Sequence, residues 1–140
     1  MRKTWILIVA ALVAALLVAG GHGGEADKGD NLMRKKLDHS QKVLEGIATN
    51  DFDKISRNAD ELIAVSKLAE WRVLKTPQYE LHSNDFRRIA ETIVKEGKAK
   101  NIDGAVLAYV DLTLTCVKCH KYVREVRMTG LDHPSASTGE

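Results

Sequence analysis

The chain has 140 residues, a length that suits one domain, and apart from its N-terminus the composition is that of an ordinary globular protein. Its 21 Lys and Arg stand against 19 Asp and Glu, so no broad basic field points to nucleic acid and any electrostatic recognition of a partner has to be local.

Residues 1–21 read as a secretory signal peptide. Arg2 and Lys3 form the positive end, Trp5 to Ala19 the apolar run, and Val18-Ala19-Gly20-Gly21 a small-residue cleavage zone. The rival is an uncleaved anchor, because Thr4 to Gly21 approaches the length of a short membrane span. No Cys follows the run, so a lipidated N-terminus is not available. Cleavage removes Arg2 and Lys3, leaves the two charge signs balanced at 19 each, and leaves no stable membrane insertion. Residues 22–30 are glycine-rich and polar, a flexible linker.

Four segments of helical period fill 31–126, and none shows the two-residue alternation of a half-buried strand. The first runs from about Asn31 to Thr49. At 100° per residue, Leu37, Ser40, Leu44 and Ile47 fall within about 40° of Met33, which sets an inward face. The Arg34-Lys35-Lys36 run then reads as the solvated face, placed to steer an acidic partner. His39 lies about 120° from Met33 and reads as solvated. The second helix spans about Asp51 to Trp71, with Phe52, Ile55, Ala59, Leu62, Ser66 and Ala69 inward. Pro77 cannot continue a helix, so 72–81 reads as a longer connection. The third helix starts near Ser83 and buries Phe86, Ile89, Ala90, Ile93 and Val94. After the Asn101-Ile102-Asp103-Gly104 turn, with Asp103 as N-cap, the fourth helix places Ala105, Ala108, Tyr109, Leu112, Cys116, Cys119, His120 and Val123 in one stripe. Residues 127–140 read as a flexible tail.

Both cysteines of the chain lie in Cys116-Val117-Lys118-Cys119-His120, and Cys-x-x-Cys-His is the pattern of covalent c-type haem attachment. On a helix the two thiols and the imidazole project from adjacent turns of one side. The thiols can add across two vinyl groups while the imidazole reaches the iron. The alternatives are a disulfide, half of a zinc site and a thioredoxin-like pair. Zinc wants four N/S ligands and no second Cys pair exists, while the redox pair belongs beside a βαβ pattern that this chain lacks. The signal peptide agrees with the motif, since bacteria attach haem covalently on the far side of the membrane.

Short connections between helices of about 20 residues make neighbours antiparallel. The expected fold is all-α, an up-down-up-down four-helix bundle with the haem at one end. The second half of helix 4 then shares an end with the start of helix 1, so Met33 arrives at the level of His120. Leu37, Leu68, Trp71, His82 and Phe86 are expected around the haem, covered by the 72–81 connection.

A signal peptide, four helices, Cys-x-x-Cys-His in the last helix and an Arg four residues after its His resemble the cytochrome c′ family, in particular its low-spin cytochrome c-556-like branch. The resemblance covers residues 30–126. Ordinary class I cytochromes c carry the motif near the N-terminus, so its position is what discriminates. The resemblance implies thioethers at Cys116 and Cys119, a proximal ligand at His120, and the family's Arg at Arg124, in contact with the proximal region or a haem propionate or else simply exposed. It implies that helix 1 supplies the residue over the other haem face, a Met in six-coordinate members. Met33 matches that version, with Leu32 the alternative if the register shifts. Leu37 and Phe86 are expected to line the cofactor. His82 is the second candidate for a distal or propionate role; Met128 lies too far along helix 4, and His22 and His133 carry no argument. The implied function is a non-enzymatic periplasmic electron carrier with one covalent haem c and its iron, serving periplasmic redox proteins, and homodimerising through helices 1 and 2 as family members do. The alternative is a five-coordinate binder of nitric oxide or carbon monoxide.

Overall fold

A computed structural model describes the backbone of residues 24–68 and 71–130, with side chains from Asp30 onward. The signal segment 1–21 and residues 131–140 of the expected tail lie outside these. The described residues form four helices and no strand: α1 Gly24–Thr49, α2 Phe52–Ser66, α3 Pro77–Lys98 and α4 Ile102–Thr129. None of these helices is long and apolar enough to cross a membrane.

Two of the three connections are built alike. Just past the ends of α1 and α3 stands a residue with positive φ, Asn50 at 56° and Lys100 at 55°. Behind each, two backbone bonds close the turn: Asn50 N to Ile47 O at 3.3 Å with Asp51 N to Gly46 O at 2.8 Å, and Lys100 N to Gly97 O at 3.0 Å with Asn101 N to Glu96 O at 2.9 Å. This paired pattern satisfies carbonyls that a helix end leaves open. The next residue caps the following helix, Asp51 accepting from Lys54 N and Asn101 from Gly104 N. Asn101 therefore takes the N-cap position expected of Asp103.

The third connection differs from expectation. α2 stops at Ser66, and α3 begins at Pro77 with Thr76 as N-cap. Proline's missing N–H is one of the donors that a first turn leaves unpaired anyway, so Pro77 starts the helix instead of extending the loop. The loop still packs, since Trp71 and Leu74 are buried. α1 begins at Gly24, inside the expected linker, and α4 runs on to Thr129 with Gly130 left-handed behind it.

Consecutive helices pack on one another, and α1 also touches α4. Ile55 and Leu62 of α2, Ile93 of α3 and Leu112 of α4 are fully buried at the centre with Val43 of α1; removing each from water contributes about 1.5–3 kcal/mol. Glycines set two close approaches. A Cβ on Gly46 would stand 2.9 Å from Ile55 Cγ1, and one on Gly97 3.2 Å from Ile55 Cγ2. Ile55 is thus wedged between α1 and α3.

Every residue expected inward on α3, and on α2 from Ile55 to Ser66, is buried, with Val65, Tyr79, Ser83 and Gly97 besides; Phe52 is half-buried, and Ala69 lies outside the described residues. On α1 the expected set is not the buried one. Leu32, Lys36, Val43 and Gly46 face inward, Met33, Ser40 and Ile47 are half-buried, and Leu37 (58 % exposed) and Leu44 face out. α1 carries two overlapping stripes, and the one containing Gly46 wins because only it admits Ile55. Leu37 is therefore corrected from a cofactor-lining residue to a surface one, and Leu68 is exposed as well.

Candidate functional site

Leu112 centres the buried face of α4, and the motif follows it by one turn. Relative to Leu112, Cys116 and Cys119 lie about 40° and 20° to either side, whereas His120 lies about 80° away. The two cysteines are accordingly half-buried against the core, and His120 is on the exposed rim instead of the core face. Both thiols are free of any disulfide. Burial pushes the Cys119 thiol up, partly opposed by Lys36. Burial also pulls His120 down, helped by repulsion from Lys36 and Arg124. The lowering favours the neutral imidazole, the form with a lone pair to give a metal. Arg124 is exposed one turn further on.

In the same core cluster two aromatic rings pack together, Trp71 from the loop and Phe86 from α3, with centroids 5.1 Å apart and planes at 40°. Phe86 is buried, as the helical period of α3 predicts. Trp71 is held from both sides: its Nε1 donates to Ser83 Oγ at 2.9 Å, Ser83 Oγ donates to Tyr79 O at 2.9 Å, and the Tyr79 hydroxyl donates to the Trp71 carbonyl. Burial raises the Tyr79 phenol above its ordinary value, which keeps it a donor. Thr76 Oγ1 and the Tyr122 hydroxyl, 2.6 Å apart, tie the start of α3 to α4 one turn past Cys119. His82 packs on Tyr122 with ring centroids 5.5 Å apart and has Gln78 Nε2 at 3.2 Å from its own Nε2.

Lys36 completes the group, although sequence reasoning placed it on a solvated face. It is 8 % exposed, and its Nζ stands 4.8 Å from the Trp71 ring centroid and 4.6 Å from that of Phe86. A desolvated cation over an aromatic face gains about 2 kcal/mol. The signal for it was present: Leu32, Lys36 and Val43 share one helical face, and a lysine stem is apolar enough to lie on it.

Met33 is half-buried at the edge of the same core. His39, expected in solvent, is half-buried with Nδ1 3.1 Å from Asn58 Oδ1. Among the described residues no group of three or more His, Cys, Asp and Glu is arranged to hold a bare metal ion. The donors that do exist are two half-buried thiols at the core edge and an exposed imidazole on the neighbouring rim of the same helix, and thiols and an imidazole at this spacing could hold a cofactor joined through sulfur. Compared with protein-family models, curated proteins and solved structures, the chain matches none.

Proposed function

We propose that the chain is a c-type cytochrome of the cytochrome c′ kind, a periplasmic carrier of single electrons and not an enzyme. One haem c is joined to Cys116 and Cys119, and its iron is ligated by His120 and Met33. The observation that carries this reading is the pair of free, half-buried thiols flanking the core line of α4, with the imidazole of His120 next to the second of them. The haem, when bound, supplies the one-electron redox couple.

The residues divide the remaining work. Cys116 and Cys119 anchor, His120 gives a nitrogen donor from the rim, and the buried rings of Trp71 and Phe86 exclude water. Met33 offers a soft thioether, which raises the potential relative to nitrogen-only ligation. Ligands that stay in place in both oxidation states keep reorganisation small. Export rests on the signal peptide, and the partners are periplasmic redox proteins reached through local charges such as Arg34 and Lys35. The exposed Leu37 and Leu44 on α1 offer apolar surface for a homodimer through α1 and α2.

An up-down-up-down arrangement with the haem at one end is part of the proposal. Support comes from paired positions that run in opposite senses. Glu45 meets Lys54 at 2.8 Å and His39 meets Asn58 at 3.1 Å between α1 and α2, while Gly97 faces Ser56 and Arg87 reaches Ser66 O at 3.4 Å between α2 and α3.

A second reading has one observation in its favour. Leu32 is 4 % exposed, deeper than Met33, and a Leu over the iron leaves the five-coordinate site of a nitric oxide or carbon monoxide binder. Spectra separate the two. With Met33 ligated, the oxidised protein is low-spin with a weak far-red sulfur-to-iron band, and the reduced protein resists carbon monoxide; Met33→Leu makes it high-spin and carbon monoxide-binding. A wild-type protein that is high-spin and takes up carbon monoxide readily overturns electron transfer in favour of gas binding.

A further inference from the structure

α4 is apolar on two sides. Its buried side centres on Leu112, and at 100° per residue Leu107, Val110, Leu114 and Val117 all fall within about 40° of the point opposite Leu112. These four are exposed, from 52 % at Val110 and Leu114 to 72 % at Leu107. Their spacing of three, four and three is the rhythm of a helix that packs along a seam against another helix, and an exposed apolar stripe of this kind marks a contact surface. A charged residue closes each end of the same line, Asp103 four residues before Leu107 and Lys121 four residues after Val117, about 27 Å apart along the axis. Both are exposed. Lys121 stands 3.9 Å from Glu125 with 72 % of its side chain exposed, so its ammonium is open to a second carboxylate.

The six positions are symmetric about Leu112: Asp103 and Lys121 lie nine residues to either side, Leu107 and Val117 five, Val110 and Leu114 two. Reversed and laid on itself, the stripe pairs Asp103 with Lys121, Leu107 with Val117 and Val110 with Leu114. Each contact then occurs twice, as an isologous two-fold interface requires. Laid on itself in the same direction, it sets Asp103 on Asp103 and Lys121 on Lys121, which repulsion between like charges opposes. We propose that the outer face of α4 docks a second copy of this chain, antiparallel, as a two-fold dimer with Leu112 at the level of the axis. This face lies on a different helix from the α1–α2 surface described above, and nothing in the pairing depends on the haem. A contact one helix wide belongs to the small, weak class of interfaces, so the dimer forms at roughly tens of micromolar protein.

The test is sedimentation equilibrium on the full chain as expressed with export, with helicity and melting followed by circular dichroism. Wild type is expected to be dimeric at about 100 μM. Leu114→Glu puts a carboxylate in the middle of the stripe at an exposed site and makes the protein monomeric with its helicity unchanged; Leu107→Ser takes its place if Leu114→Glu does not fold. Asp103→Lys alone and Lys121→Asp alone each set two pairs of like charges against one another across the dimer, and each weakens it about tenfold. Combining Asp103→Lys with Lys121→Asp restores association. Leu44→Glu, on the exposed side of α1, leaves the dimer intact. A wild type that is monomeric at about 100 μM overturns the proposal, as does a dimer abolished by Leu44→Glu and untouched by Leu114→Glu, which assigns the interface to α1. A dimer lost in Leu114→Glu but indifferent to both charge reversals overturns the antiparallel register.

Discussion

The imidazoles at 39 and 120 have different work. His39 holds Asn58 across the α1–α2 interface at 3.1 Å, while Asn58 Nδ2 donates to Lys54 O at 2.8 Å. Its replacement by Ala leaves Asn58 with one bond fewer at a half-buried site, which costs about 1 kcal/mol. His39→Ala is therefore expected to lower the denaturation midpoint and leave the Soret band unchanged, whereas His120→Ala abolishes the native spectrum with the thioethers still in place. Equal spectral damage from both would mean that α1 faces the haem with a different register. The inward lean of Cys116 and Cys119 was legible in the helical period, whereas His120, expected on the same face, lies on the exposed rim. The burial of Lys36 was not legible, because a lysine's charge says surface while its aliphatic stem allows burial, and only the presence of Trp71 and Phe86 decides between them. The exposure of Leu37 follows from the same choice of register.

Helix ends govern the next scale. Lys100 holds the left-handed position after α3, where φ is 55° and a residue with a Cβ is strained by roughly 1 kcal/mol or more. Lys100→Gly removes that strain without touching the caps at Asn101 or Gly97, so it is expected to raise stability by about 1 kcal/mol and Tm by about 4 °C. Asn50→Gly gains less, since Asn tolerates the left-handed region. A calorimetric scan in which Lys100→Gly melts below wild type contradicts this account of the turn. Four helices were legible from period alone. Their boundaries were less so, and the physical reasons are specific. Pro77 is a breaker inside a helix and a starter at its first position, and the preceding Thr76, whose side chain accepts from Tyr79 N at 3.2 Å, is what turns one into the other. On α1 two apolar stripes competed, and a glycine with no hydrophobic signal of its own settled the outcome by admitting Ile55.

At the scale of the whole molecule, the core accounts for four packed helices, and a few features stand apart from it. Trp71 is braced by Ser83 and Tyr79, Thr76 is tied to Tyr122, a cation lies over two rings, and two thiols are free of any disulfide. The proposed haem is bonded to both sulfurs, of Cys116 and Cys119. The most direct measurement is the intact mass of the full chain after expression with c-type haem maturation, followed by acid-acetone extraction and thiol titration. The expected result is a single haem added to a chain that begins near Gly20 to Gly24, resistant to extraction, with no free thiol. A mature chain of unmodified mass, with two titratable thiols or a Cys116–Cys119 disulfide, would contradict it.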